Sequence, residues 1–88
     1  MDQQRIRPCV ISFANAMELK LKQNDHKGGW SSDTVDQLIS KIMLELSELV
    51  STIENGKSSH DVLLECADVA NFAMMIAENY RRVNEPTE

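Results

Sequence analysis

Helix breakers hardly interrupt this chain. Three glycines, Gly28, Gly29 and Gly56, and two prolines, Pro8 and Pro86, are spread over 88 residues. Aromatic and β-branched runs are sparse, no strand pattern fits, and the chain is therefore constrained to an all-α fold of long helices. The first periodic segment runs from about Pro8 to Gln23, with Val10, Phe13, Ala14, Met17, Leu19 and Leu21 on an apolar stripe and Pro8 tolerated in a first turn. Asn24 to Ser32 breaks the pattern with a polar loop around Gly28-Gly29 that carries one aromatic, Trp30.

A second helix is predicted to start near Asp33 or Thr34, where Thr34-Val35-Asp36-Gln37 has the form of a capping box, and to stop at Asn55-Gly56, a left-handed terminator. Val35, Leu38, Ile39, Ile42, Leu46, Leu49, Val50 and Ile53 project within an arc of about 120° on it. Ser58 caps a third helix, with Asp61 in its first turn, that continues to about Arg82. Arg81 and Arg82 suit the dipole at its C-terminus. Residues 1–6 and 83–88 are expected to fray.

The third helix is apolar on more than one side. Val62, Cys66, Val69, Ala70, Ala73, Ala77 and Tyr80 form one stripe, and Leu64, Ala67, Met74 and Met75 project about 120° or more away from it. A chain of this size buries only about 60% of the surface its unfolded form exposes. A second subunit is therefore expected to cover the second face, giving a four-helix-bundle-like core assembled as a homodimer or a homotetramer built as a dimer of dimers. Hydrophobic residues at 42% and charged residues at 26% match an ordinary folded chain, read as a single domain over residues 1–88. Cys9 and Cys66 have the spacing of free thiols packed as small core residues, and residues 1–5 lack an apolar leader, which together lead to the expectation of a cytoplasmic protein with no membrane span.

Nine Lys and Arg against 14 Asp and Glu leave a formal charge of −5, which argues against a nucleic-acid polymer as partner. Some of the excess carboxylates sit where a solvated face is not expected. Glu45 and Glu48 lie one turn apart on the second helix, and Glu45 projects within about 20° of Leu38 and about 40° of Leu49. Glu65 and Asp68 repeat the device on the third helix, with Glu65 projecting between Phe72 and Ile76. Burying several carboxylates together costs several kcal/mol per ion unless cations offset them. Helix-borne acids projecting into a bundle fit Mg²⁺, with Mn²⁺ as the alternative. Zinc fits less well, because His26 and His60 lack ligand spacing.

Glu-x-x-Glu, 16 intervening residues and Glu-x-x-Asp resemble the signature of the all-α nucleotide pyrophosphohydrolases, the MazG-like and dimeric dUTPase-like superfamily. The run from Glu65 to Ala77 and the loop His26-Lys27-Gly28-Gly29-Trp30 look like the small single-domain MazG-like proteins. The resemblance covers residues 13–80. It implies Mg²⁺-dependent hydrolysis of a nucleoside triphosphate to the monophosphate and pyrophosphate, in the service of nucleotide-pool housekeeping. The metal ligands it implies are Glu45, Glu48, Glu65 and Asp68. Glu45 and Glu48 are the candidate catalytic residues. Glu45 is favoured as general base because its apolar edge should raise its pKa, with a purely ligating role as the alternative.

Candidate substrate-binding residues surround these acids. Lys27 is read as a phosphate contact, Trp30 either as a stacking platform for the base or as packing over a helix end, and His26 as reading a base edge or merely filling the turn. Asn71 is either a donor to a phosphate or ribose oxygen or a solvated residue, and Asn79 is read as solvated or capping. No P-loop pattern and no nucleophile triad spacing is present. Two alternatives stay open: a phosphoribosyl-ATP pyrophosphatase-type activity, and a non-catalytic helical module whose second apolar face binds a partner protein.

Overall fold

A computed structural model of the chain describes residues 5–85. It is all-helical, with α1 at Pro8–Gln23, α2 at Val35–Glu54 and α3 at Ser59–Asn84, and among the described residues there is no strand. A single 3₁₀ turn, Asp25–Lys27, interrupts the connection between α1 and α2. The expected ends 1–4 and 86–88 lie outside the described residues. Val83 and Asn84, expected to fray, instead continue α3 by two residues past Arg82, with Asn84 donating its side-chain amide to the Tyr80 carbonyl at 2.9 Å.

Local chemistry sets these boundaries. Pro8 occupies the first turn of α1, where its missing N–H has no intrahelical partner to lose. At the start of α2 the Thr34 hydroxyl accepts from the Gln37 amide at 3.0 Å while the Gln37 side chain accepts from the Thr34 amide at 2.9 Å, a complete capping box. At its end Gly56 takes φ +66°, the Lys57 amide donates to Thr52 and the Gly56 amide to Ile53, which is the hydrogen-bond pattern of a Schellman motif. Ser58 caps α3 by accepting from the Asp61 amide at 3.1 Å.

Within the chain, α3 is the central element. Both α1 and α2 pack against it, and the backbones of α1 and α2 do not approach each other closely. The radius of gyration is 14.5 Å, against about 12 Å for a compact chain of this length. The arrangement is open because two helices flank a third without closing over it.

Burial follows from that layout. Among the described residues only Ala16, Leu38 and Ala67 form a buried apolar core, and Leu38 is its one large side chain. The α2 stripe divides: Leu38, with the half-buried Val35, Ile42 and Leu49, is covered, whereas Ile39, Leu46, Val50 and Ile53 are exposed. Flanking also corrects the expectation for α3. Ala67, placed on the face expected to need another subunit, is fully buried by the chain itself, and Leu64 and Met75 are half-buried. Ala73, Ala77 and Tyr80 of the supposed inner stripe are exposed instead. Cys9, expected in the core, is also exposed, while Cys66 is half-buried. No helix among the described residues is long and apolar enough to cross a membrane.

Candidate metal centre

The turn at Gly56 folds α3 back along α2 and brings the two acidic pairs to one level. Glu45, Glu65 and Asp68 each present a carboxylate oxygen, and these three atoms lie within 4.8 Å of one another. All three residues are half-buried. Glu48 stands one turn along α2, is exposed, and lines the same cleft without joining that close group. Of the four acids expected at the metal, three are therefore assembled and the fourth faces the cleft from its rim.

The group is short of positive charge. Burial first, and then the neighbouring carboxylates Glu48, Asp68 and Glu65, push the Glu45 carboxyl above its ordinary value, with Lys20 pulling the other way. Glu65 is raised by burial and then by Asp68 and Glu48, again opposed by Lys20. Lys20, from α1, places its ammonium 3.5 Å from Asp68 Oδ2. Among the described residues it is the one ammonium within ion-pair distance of any of the four carboxylates.

Three oxygens are left without partners. Glu45 Oε1, Glu65 Oε1 and Asn71 Oδ1 are buried and accept no hydrogen bond. Burying an acceptor unsatisfied costs about 1–3 kcal/mol, and more where it is charged. Hard anionic oxygens brought together without donors fit a Mg²⁺ or Mn²⁺ ion by both charge and donor type. Asn71 is 4% exposed, and its side-chain nitrogen donates to the Met17 carbonyl at 3.0 Å. This overturns the solvated reading, and the atom left without a partner, Oδ1, is an acceptor suited to a ribose hydroxyl or a cation.

Because the backbones of α1 and α2 do not approach each other closely, a cleft of about 630 Å³ opens over α3 with this cluster in its wall. Lys20, Lys27 and Lys41 also line it, together with Gly28, Gly29 and Trp30 of the connecting loop. Gly28, at φ +87°, turns the loop where a side chain would be strained. His26 lies exposed in the 3₁₀ turn and does not line the cleft. A second groove, made by α2 alone and lined by Met43, Leu46 and Val50, contains none of the four acids.

Several contributors were not singled out by the sequence, or were read differently. Lys20 follows Ala16 and Met17 at helical spacing, so a cation on the inward stripe of α1 was the available signal. Lys41 pairs with Asp33 at 3.3 Å, and neither has a sequence motif of its own. Asn79, expected to be solvated or capping, is 3% exposed and donates to the carbonyls of Trp30 and Asp33 at 2.8 and 3.0 Å. Arg82, expected to serve the helix dipole, donates to Asn79 Oδ1 at 2.7 Å.

The chain matches no known family, no curated protein and no solved structure. The reading of the cleft therefore rests on its own chemistry.

Proposed function

We propose that this protein is a Mg²⁺-dependent nucleoside triphosphate pyrophosphohydrolase of the MazG-like kind, with Mn²⁺ as a substitute ion, acting on nucleotide pools in the cytoplasm. The observation that carries the proposal is the cluster of Glu45, Glu65 and Asp68 within 4.8 Å, with two buried carboxylate oxygens lacking any donor, in the wall of a cleft large enough for a nucleotide. Glu45, Glu65 and Asp68, with Glu48 from the rim, would hold the ion. When bound, a divalent ion here supplies neutralisation of the triphosphate charge and activation of water.

The chain's own groups divide the remaining work. Glu45, whose carboxyl is held above the ordinary value by burial and by its acidic neighbours, accepts the proton of the attacking water. That water adds to the α-phosphorus, the bond to the bridging oxygen breaks, and the products are the nucleoside monophosphate and pyrophosphate. Lys20, Lys27 and Lys41 offer mobile positive charge along the cleft for phosphate oxygens. Trp30 offers an aromatic face to the base, and Asn71 Oδ1 an acceptor for a sugar hydroxyl. Incubation of the protein with each ribo- and deoxyribonucleoside triphosphate and Mg²⁺ is expected to release pyrophosphate, and Glu48→Gln is expected to lower turnover by at least about tenfold. Absence of monophosphate and pyrophosphate with every nucleotide would sink the proposal.

A homo-oligomer belongs to the same reading. Three buried apolar residues are a thin core, and Ile39, Met43, Leu46, Val50 and Ile53 stand exposed along α2. A second copy packing α2 and α3 against this surface completes a four-helix bundle. The same exposed face is what favours the competing reading, a non-catalytic module that docks a partner protein. Calorimetry separates them: Mg²⁺ binding that is lost in Glu65→Gln supports the enzyme, and no Mg²⁺ binding supports the module.

A further inference from the structure

Trp30 is held at both its main chain and its side chain by consecutive residues near the end of α3. The segment from Trp30 to Asp33 is a turn closed by the Asp33 amide donating to the Trp30 carbonyl at 3.0 Å. Asn79 spends one side-chain donor on each end of that turn, 2.8 Å to Trp30 O and 3.0 Å to Asp33 O. Glu78 Oε1 accepts the indole Nε1–H of Trp30 at 2.8 Å. Arg82 locks the two acceptor groups, donating to Asn79 Oδ1 at 2.7 Å and lying 3.5 Å from Glu78 Oε1.

Asn79 is 3% exposed, and both its side-chain nitrogen and its side-chain oxygen find their partners within this arrangement. A buried amide with every polar atom satisfied is costly to rearrange, so this arrangement specifies one loop conformation. The loop it fixes has two glycines, Gly28 and Gly29, with nothing within 4 Å of either Cβ position, so the loop's own packing restrains it little. With the indole N–H tied to Glu78, rotation of the ring, which lines the cleft, is restricted.

We infer that Asn79, Glu78 and Arg82 form a clamp that positions Trp30 as the base-binding wall of the cleft, making them positioning residues for the nucleotide and not for the reacting phosphates. The inference rests on the nucleotide reading of the cleft. Its signature is a loss of substrate affinity with chemistry preserved, because the clamp touches the loop and none of the carboxylates.

Trp30 is the chain's single tryptophan, so intrinsic fluorescence reports on the loop directly. The full chain is compared with Asn79→Asp, which keeps the shape and the Arg82 contact but turns two donors into acceptors facing carbonyls, and with Glu78→Ala and Glu78→Gln. Acrylamide quenching of Trp30 is expected to rise about twofold in Asn79→Asp and Glu78→Ala, and KM for the nucleotide to rise about tenfold with kcat within about twofold. Glu78→Gln, which still accepts from the indole, is expected to behave as the parent. Should Asn79→Asp fail to fold, Glu78→Ala decides, since its side chain is 43% exposed. Unchanged quenching in Glu78→Ala, or a fall in kcat with KM unmoved, overturns the clamp. If the parent protein releases no pyrophosphate from any nucleotide, the pyrophosphohydrolase reading fails and the positioning role with it, while acrylamide quenching still shows whether the clamp holds the loop.

Discussion

Glu45 and Glu65 are the residues at which stability and function pull apart. The folded protein binds their protons more tightly than the unfolded chain does, because burial and neighbouring acids raise both carboxyls above the ordinary 4.5. Their favourable contribution to stability is fully present below that value and is lost as pH rises through the raised folded values. In metal-free buffer at pH 7, the double variant Glu45→Gln, Glu65→Gln is therefore expected to melt at a higher temperature than the parent. The difference should vanish below about pH 4.5, where the parent's own carboxyls are protonated. Added Mg²⁺ should raise the parent's melting temperature and leave the variant's unmoved, and calorimetric scans across pH check all three outcomes. Lys20 acts in the opposite sense, since its ammonium already sits 3.5 Å from Asp68 and competes with any cation. Lys20→Met is expected to tighten Mg²⁺ binding severalfold while weakening the triphosphate, and titration of each ligand separately tests the pair. Glu45 and Glu65 were legible in the sequence because a charge on an apolar stripe stands out against the helical period. Asn79 was not, since nothing in the period of α3 announces which distant carbonyls its amide meets.

Helix boundaries were the most legible part of the fold, because their causes are local. The reciprocal bonds of Thr34 and Gln37 and the left-handed Gly56 need only neighbours within one turn. What the period could not give was the division of the α2 stripe between a covered and an exposed side, or the placement of α1 and α2 on separate flanks of α3, since both depend on contacts between elements far apart in sequence. The loop shows the same limit in small: Trp30 and Lys27 line the cleft, whereas His26, one residue before Lys27 in a short 3₁₀ turn, does not. Two substitutions test the local terms. Thr34→Ala removes the hydroxyl that accepts from the Gln37 amide, leaving only the bond from the residue-34 amide to the Gln37 side chain, and is expected to cost about 1 kcal/mol, a fall in melting temperature of roughly 4–8 °C for a domain of this size. Gly56→Ala meets nothing within 4 Å at the new Cβ, so its cost is the left-handed backbone alone, roughly 1–2 kcal/mol. Thermal unfolding followed by circular dichroism measures both, and an unchanged melting temperature in Gly56→Ala would show that the turn relaxes freely.

At the scale of the whole molecule, the open layout that creates the cleft also leaves the core thin. If α1 and α2 closed over α3 the apolar surface would be buried, but the carboxylates would be sealed away from any nucleotide. The proposed second copy would resolve this conflict by covering the outer faces while leaving the cleft accessible. The face with most to gain is the exposed side of α2, where Met43 is 65% and Ile53 is 56% exposed and where Leu46 and Val50 line a groove. Leu46 and Val50 are four residues apart, so Leu46→Glu with Val50→Lys places an attractive pair one turn apart and keeps the helix favourable while removing its apolar contact. The parent is expected to sediment as a dimer or larger species, with a melting temperature that rises with protein concentration. The double variant should sediment as a single chain, melt at a lower temperature that is independent of concentration, and retain Mg²⁺ binding through acids that all come from one chain. Sedimentation of the parent as a 10.0 kDa species at every concentration would remove the oligomer. The exposed face would then be left to a different protein.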